Sequence, residues 1–129
     1  MFRGETAIVT GGSRGVGFAI AKELTAAGAD VVICSRTEEQ LNNAVEELSS
    51  NDRKVFGMVV DVSQFGDCQR LIEYVYSLTG RIDILVNNAG IFGPVGLLET
   101  NDPDGWKEAL AVNVLGAVYC SLLVIPFMK

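Results

Sequence analysis

Thr10-Gly11-Gly12-Ser13-Arg14-Gly15-Val16-Gly17 places four glycines in eight residues, between two stretches of different hydrophobic period. Upstream, Thr6 to Thr10 is a short β-branched run that reads as a strand. Downstream, Val16, Ile20, Leu24 and Ala27 recur at helical spacing, which predicts a helix over 16–27 with these side chains on its buried face and Gly28 as its stop. A strand that turns straight into a helix through glycines lets backbone pass close to a phosphate, and the helix N-terminus then offers it unpaired N–H groups. No Gly-Lys-Ser/Thr follows, so the loop is not a Walker loop, and its Thr-Gly-x-x-x-Gly-x-Gly spacing also differs from G-x-G-x-x-G. On spacing alone it is a pyrophosphate cradle or a tight turn that uses glycine only for backbone freedom.

The same alternation continues along the chain. Val31 to Cys34 is a continuous apolar run suited to a strand buried on both faces, and Thr37 to Ser50 reads as a polar-faced helix with a capping box at Thr37–Gln40. Val55 to Val60 is a third strand and Ser63 to Leu78 a third helix with Ser63 as N-cap. Ile82 to Val86 is a fourth strand, ending in Asn87-Asn88-Ala89-Gly90. Residues 91–101 read as a loop, and Asp102-Pro103 opens a last helix that runs to the chain's end. Strands alternating with helices in this way require a parallel sheet with right-handed crossovers, an α/β domain spanning residues 1–129.

Composition removes several function classes. The net charge is −6 and the ten Lys and Arg are scattered, which argues against a nucleic-acid surface. No histidine is present, so these residues hold neither a Ser-His-Asp triad nor a histidine metal site, and none is expected. Cys34, Cys68 and Cys120 lie apart in apolar stretches and read as reduced core residues, in keeping with a cytoplasmic protein. Ala109 to Met128 carries no charge over twenty residues, enough for a bilayer span; Asn113, Gly116 and Pro126 within it suit a buried helix better, and no membrane is expected.

The chain resembles the N-terminal half of a short-chain dehydrogenase/reductase over nearly its whole length. The resemblance rests on the Thr10–Gly17 loop, on Asp61-Val62 after the third strand, on Asn87-Asn88-Ala89-Gly90 after the fourth, and on Asn113 in the last helix. It implies a Rossmann-like doubly wound sheet of strand order 3-2-1-4 ending in a long apolar helix, and oxidoreductase chemistry between a carbonyl and an alcohol. It assigns cofactor contacts to Gly11, Ser13, Arg14, Gly15, Val16 and Gly17 in the loop, to Asp61 and Val62 at the adenine, and to Asn88, Ala89 and Gly90. From the residues alone, Asp61 or Ser63 could instead cap a helix, and Asn87 to Gly90 could be a strand-ending turn. To Asn113 the resemblance gives a supporting catalytic role; a satisfied core amide is the other reading. The family's Ser and Tyr-x-x-x-Lys fall after the last helix here. Tyr74, Tyr76 and Tyr119 are followed four positions later by Leu78, Gly80 and Leu123, so the chain alone is expected to be inactive. The resemblance also implies a homo-oligomer joined through the last helix, while a non-catalytic dinucleotide-binding module is the alternative. Trp106, Phe92 and Phe127 read as core or interface residues.

The cofactor is read at the tip of the second strand, where an acid about 20 residues past the glycines would select a free 2′-hydroxyl and an arginine a 2′-phosphate. This strand ends in Cys34-Ser35-Arg36-Thr37, without a carboxylate. Arg36, Arg14 in the loop and the Ser35 hydroxyl together describe a phosphate pocket, so NADP is expected over NAD; two ordinary solvated arginines are the other reading.

Overall fold

The computed structural model describes residues 1–49, 55–91 and 96–129. Four parallel strands, β1 (Thr6–Thr10), β2 (Asp30–Ser35), β3 (Val55–Val59) and β4 (Ile84–Val86), form one sheet in the order β3-β2-β1-β4. Helices α1 (Gly15–Ala26), α2 (Glu38–Leu48) and α3 (Phe65–Thr79) make the crossovers. A continuous helical rod then follows, built of α4 (Pro103–Leu110), a π turn (Ala111–Leu115) and α5 (Gly116–Met128). This is the expected Rossmann-like topology, with the long final helix in place.

Side-chain alternation along the strands sorts the core into two layers. Ala7, Val9, Val31 and Ile33 point to one face and pack with Ala21, Leu41, Ala44 and Leu48 of α1 and α2. Ile8, Val32 and Cys34 point to the other and meet Cys68, Leu71, Ile72 and Val75 of α3 with Cys120 and Val124 of α5. Both central strands are therefore buried at nearly every position, with apolar residues through their middles, as a sheet covered on both faces demands. All three cysteines are free and buried, as expected, and the Cys68 and Cys120 sulfurs lie 3.8 Å apart. Burial pushes the Cys34 thiol up to about 12, and a hydrogen bond shared with Cys120, followed by burial, raises that of Cys68.

Several local expectations are corrected. The buried face of α1 is Gly17, Ala21 and Thr25, whereas Val16 is 69% exposed and Ile20, Leu24 and Ala27 are half-buried beside Phe2. The helix lies so close to the sheet that only small side chains fit beneath it. Thr37 makes no side-chain cap; its amide instead donates to the Ser35 hydroxyl. Ser63 does not cap α3, which starts at Phe65 and so has Gln64 in the cap position; the Ser63 N–H and hydroxyl both donate to the Asp61 carboxylate. Strand β4 starts at Ile84 rather than Ile82. The proposed C-terminal residue of the second helix, Ser50, and Phe92 lie outside the described residues. The last helix is apolar nearly all round but covered on one side only: Ala109, Val112, Gly116, Cys120 and Val124 are covered, while Leu110, Val114, Val118, Leu122 and Ile125 are open. Trp106 is 42% exposed on the same rod, and Phe127 stacks on Tyr76 of α3.

Candidate functional site: a cleft at the carboxyl edge of the sheet

Thr10, the last residue of β1, has a hydroxyl that fixes the floor of the site. Its Oγ1 accepts the N–H groups of Asn88 and Ala89, each at 3.0 Å, and donates to the Val86 carbonyl at 3.4 Å. The segment after β4 is thereby tied to the glycine loop. Asn88 adds a second tie by donating Nδ2 to the Gly11 carbonyl at 3.1 Å. That packing leaves no room for side chains: a Cβ on Gly17 would stand 2.3 Å from both Asn88 Nδ2 and the Gly11 carbonyl oxygen, and one on Gly11 2.9 Å from the Ala89 backbone. Gly15 differs in having open space around it, although its φ of +58°, like the +66° of Gly11, is the left-handed conformation. No side chain caps the N-terminus of α1, so its first-turn N–H groups are not occupied in that way.

Above this floor opens a cleft of about 560 Å³ at the carboxyl ends of the strands, where α/β sheets hold their ligands. Of the residues singled out in the sequence, Gly11, Ser13, Arg14, Gly15, Val16, Ser35, Arg36, Val62, Asn88, Ala89 and Gly90 line it. Val60, Ile91 and Val112 supply apolar wall, and Thr37 and Gln40 stand at the arginine end. Ser13 and Ser35 join hydroxyls at 3.2 Å, linking the loop to the tip of β2. Among the described residues lining the cleft there is no carboxylate, and two arginines face it.

Three predicted site residues stand outside that lining. Gly17 is buried beneath it. Asp61 turns its carboxylate to Ser63, accepting the N–H at 3.0 Å and the hydroxyl at 2.6 Å, while its own N–H donates to Asp67. Asn113 sits in the π turn and, contrary to the expectation of a buried amide, is exposed. Its partners are nonetheless specific: Oδ1 accepts the Ile91 N–H at 2.7 Å and Nδ2 donates to the Ile91 carbonyl at 2.8 Å. The amide thus pairs with Ile91 as a neighbouring strand would and holds that wall of the cleft in place. Sequence reasoning missed Thr10 as an acceptor and Glu108 of α4, whose carboxylate meets Arg36 Nη1 at 3.3 Å. The Thr-Gly that opens the loop was the available sign of the first. Nothing local marks the second, since the two residues are 72 positions apart.

Residues 5–129 match the family model for the short chain dehydrogenases. The chain belongs to this family. A short chain dehydrogenase of Pseudocercospora fijiensis is 38% identical over 128 residues, covering 98% of this chain and 41% of that relative. An L-fucose dehydrogenase of Rattus norvegicus is 37% identical over 131 residues, covering 99% and 46%. Among solved structures, a metagenomic short-chain oxidoreductase in complex with NADP superposes with a TM-score of 0.93 at 34% identity, covering 98% of this chain and 57% of the other. A Burkholderia cenocepacia short chain dehydrogenase in complex with NADP gives 0.93 at 35%, covering 99% and 52%. The chain therefore spans less than half the length of these two sequence relatives and somewhat over half of the two solved chains.

Proposed function

We propose that this chain is the cofactor-binding portion of an NADP-dependent reductase or dehydrogenase that interconverts a carbonyl and an alcohol. The observation that carries the reading is the charge of the cleft: Arg14 and Arg36 face it with Ser13 and Ser35, and no carboxylate lines it among the described residues. The closed packing at Gly11 and Gly17 and the uncapped helix α1 fit a dinucleotide whose pyrophosphate lies over the loop. Arg36, Arg14 and Ser35 would hold the 2′-phosphate, Val62 would pack on the adenine, and Asn88, Ala89 and Gly90 would flank the ribose. When bound, the nicotinamide supplies the hydride. Asn113 acts on the chemistry only through Ile91, as a positioning residue. No tyrosine among the 129 residues is followed four positions later by lysine, so these residues alone bind the cofactor and do not turn it over. The NADP-bound structural relatives support the cofactor assignment.

The partners follow from the same reading: a small carbonyl or alcohol as substrate, a cytoplasmic setting, and a second copy against the open stripe Leu110, Val114, Val118, Leu122 and Ile125. The rod Pro103–Met128 is also long and apolar enough to cross a membrane by length and composition. Its seating on α3 through Cys120 and Val124 favours the interface.

Titration with NADPH and NADH tests the assignment. A charge-assisted hydrogen bond is worth about 1.5–3 kcal/mol, and partial exposure of Arg36 places it at the lower end. Arg36→Asp should therefore weaken NADPH binding about tenfold or more and favour NADH relatively. An unchanged preference in that variant would overturn the NADP reading.

A further inference from the structure

The Arg36 guanidinium does not stand free at the cleft. Its Nη1 is 3.3 Å from Glu108 Oε1, a carboxylate carried on α4 and absent from the cleft lining. Both side chains are about half exposed, at 45% and 59%, so the pair can open without unfolding anything. The other groups around the guanidinium's end of the cleft are Arg14, Ser13, Ser35, Thr37 and Gln40, none of them anionic. Among the described residues, Glu108 is therefore the one acid in an ion pair with the arginine that would read the ribose.

We propose that Glu108 is a specificity-determining residue: its carboxylate competes with the 2′-phosphate for Arg36 and so tempers the preference for the phosphorylated cofactor. This rests on the NADP reading above. The physical argument is that a 2′-phosphate carries between one and two negative charges and must approach the same guanidinium that Glu108 holds. Binding then either breaks the ion pair or brings two anions together. Either course costs affinity for the phosphorylated ligand and leaves its unphosphorylated counterpart untouched. An exposed pair sets a modest scale, about three- to tenfold in the ratio of the two affinities.

The test compares binding of 2′,5′-ADP and 5′-ADP by calorimetry in the protein and in its Glu108→Gln, Glu108→Lys and Arg36→Ala variants. Glu108→Gln should raise the 2′,5′-ADP to 5′-ADP affinity ratio about three- to tenfold at low ionic strength, with the gain shrinking in concentrated salt. Glu108→Lys, at the same exposed position, should move the ratio further the same way. Arg36→Ala should abolish the preference. A ratio unchanged or lowered in both Glu108 variants, with Arg36→Ala still abolishing it, overturns the inference and leaves the NADP reading standing. A protein with no 2′-phosphate preference that Arg36→Ala does not alter, and no gain in the Glu108 variants, overturns both. No preference in the protein, with one emerging in Glu108→Gln, sustains the inference and removes NADP as the preferred cofactor.

Discussion

Thr10→Val keeps the shape of a side chain that is 2% exposed and removes only its hydroxyl, which isolates what that hydroxyl does. In the structure Oγ1 accepts two backbone N–H groups, from Asn88 and Ala89. Valine offers them nothing. Leaving a buried donor without a partner costs about 1–3 kcal/mol, and because Asn88 and Ala89 are half-buried the lower part of that range applies to each. The sum is about 2–3 kcal/mol, reduced slightly by the methyl that replaces the hydroxyl, and equals roughly a 30- to 150-fold loss in the folding equilibrium. Urea unfolding followed by circular dichroism measures it, with Thr10→Ser as the control that keeps the acceptor and loses only a methyl. Cofactor affinity should fall in Thr10→Val as well, because Asn88 and Ala89 line the cleft. If Thr10→Val unfolds within about 0.5 kcal/mol of the parent, the hydroxyl is not what joins β1 to the β4 tip and the account of the floor is wrong.

Within the glycine loop, Gly17→Ala should abolish cofactor binding, since its Cβ would stand 2.3 Å from Asn88 Nδ2 and the Gly11 carbonyl oxygen. Gly15→Ala meets open space and should cost only about 1 kcal/mol of left-handed strain, with binding weakened less than tenfold; calorimetry on both variants checks the contrast. At the opposite edge of the sheet, the hydrogen bond from Arg81 holds the Asp83 carboxyl below its usual range; partial burial opposes this and the Thr6 N–H assists. Its contribution is therefore present above about pH 4 and lost as pH falls through the depressed value, so Asp83→Asn should flatten the acid limb of urea midpoints by about 1 kcal/mol. Iodoacetamide at mildly alkaline pH should leave Cys34, Cys68 and Cys120 unlabelled in the native protein and label all three in concentrated urea, read by mass spectrometry.

The alternation of strands and helices was legible because a strand buried on both faces reads as an unbroken apolar run, as at Val31 to Cys34, and because Val55 and Ile84 open comparable runs. What failed was register. Hydrophobic pattern measures side-chain size, whereas the face of α1 that meets the sheet is chosen by closeness, which favours Gly17 and Ala21 over Val16. Capping failed at Ser63 because the helix starts at Phe65, one residue too late for Ser63 to stand at its cap, and Ser63 turns to Asp61 instead. Most of the cleft could be named in advance, since Arg14, Arg36, Val62 and Asn88 all follow strand ends. Glu108 could not be, as it meets Arg36 across 72 positions and nothing in its own helix points to that contact.

The π turn has a consequence for how this chain can tolerate insertions and deletions. The Gly116 N–H donates to the Ala111 carbonyl, five residues back, so the rod holds one extra residue in that turn relative to a regular helix. A regular helix advances about 100° per residue. Removing one residue between Ala111 and Leu115 would therefore leave a regular helix with Cys120 and Val124 still on α3, whereas the same deletion within Gly116–Met128 would swing everything downstream about a quarter-turn. Val112 and Asn113 would keep their places at the cleft. The turn works as a phase joint, taking up one extra residue between the part of the rod that walls the cleft and the part that seats on α3.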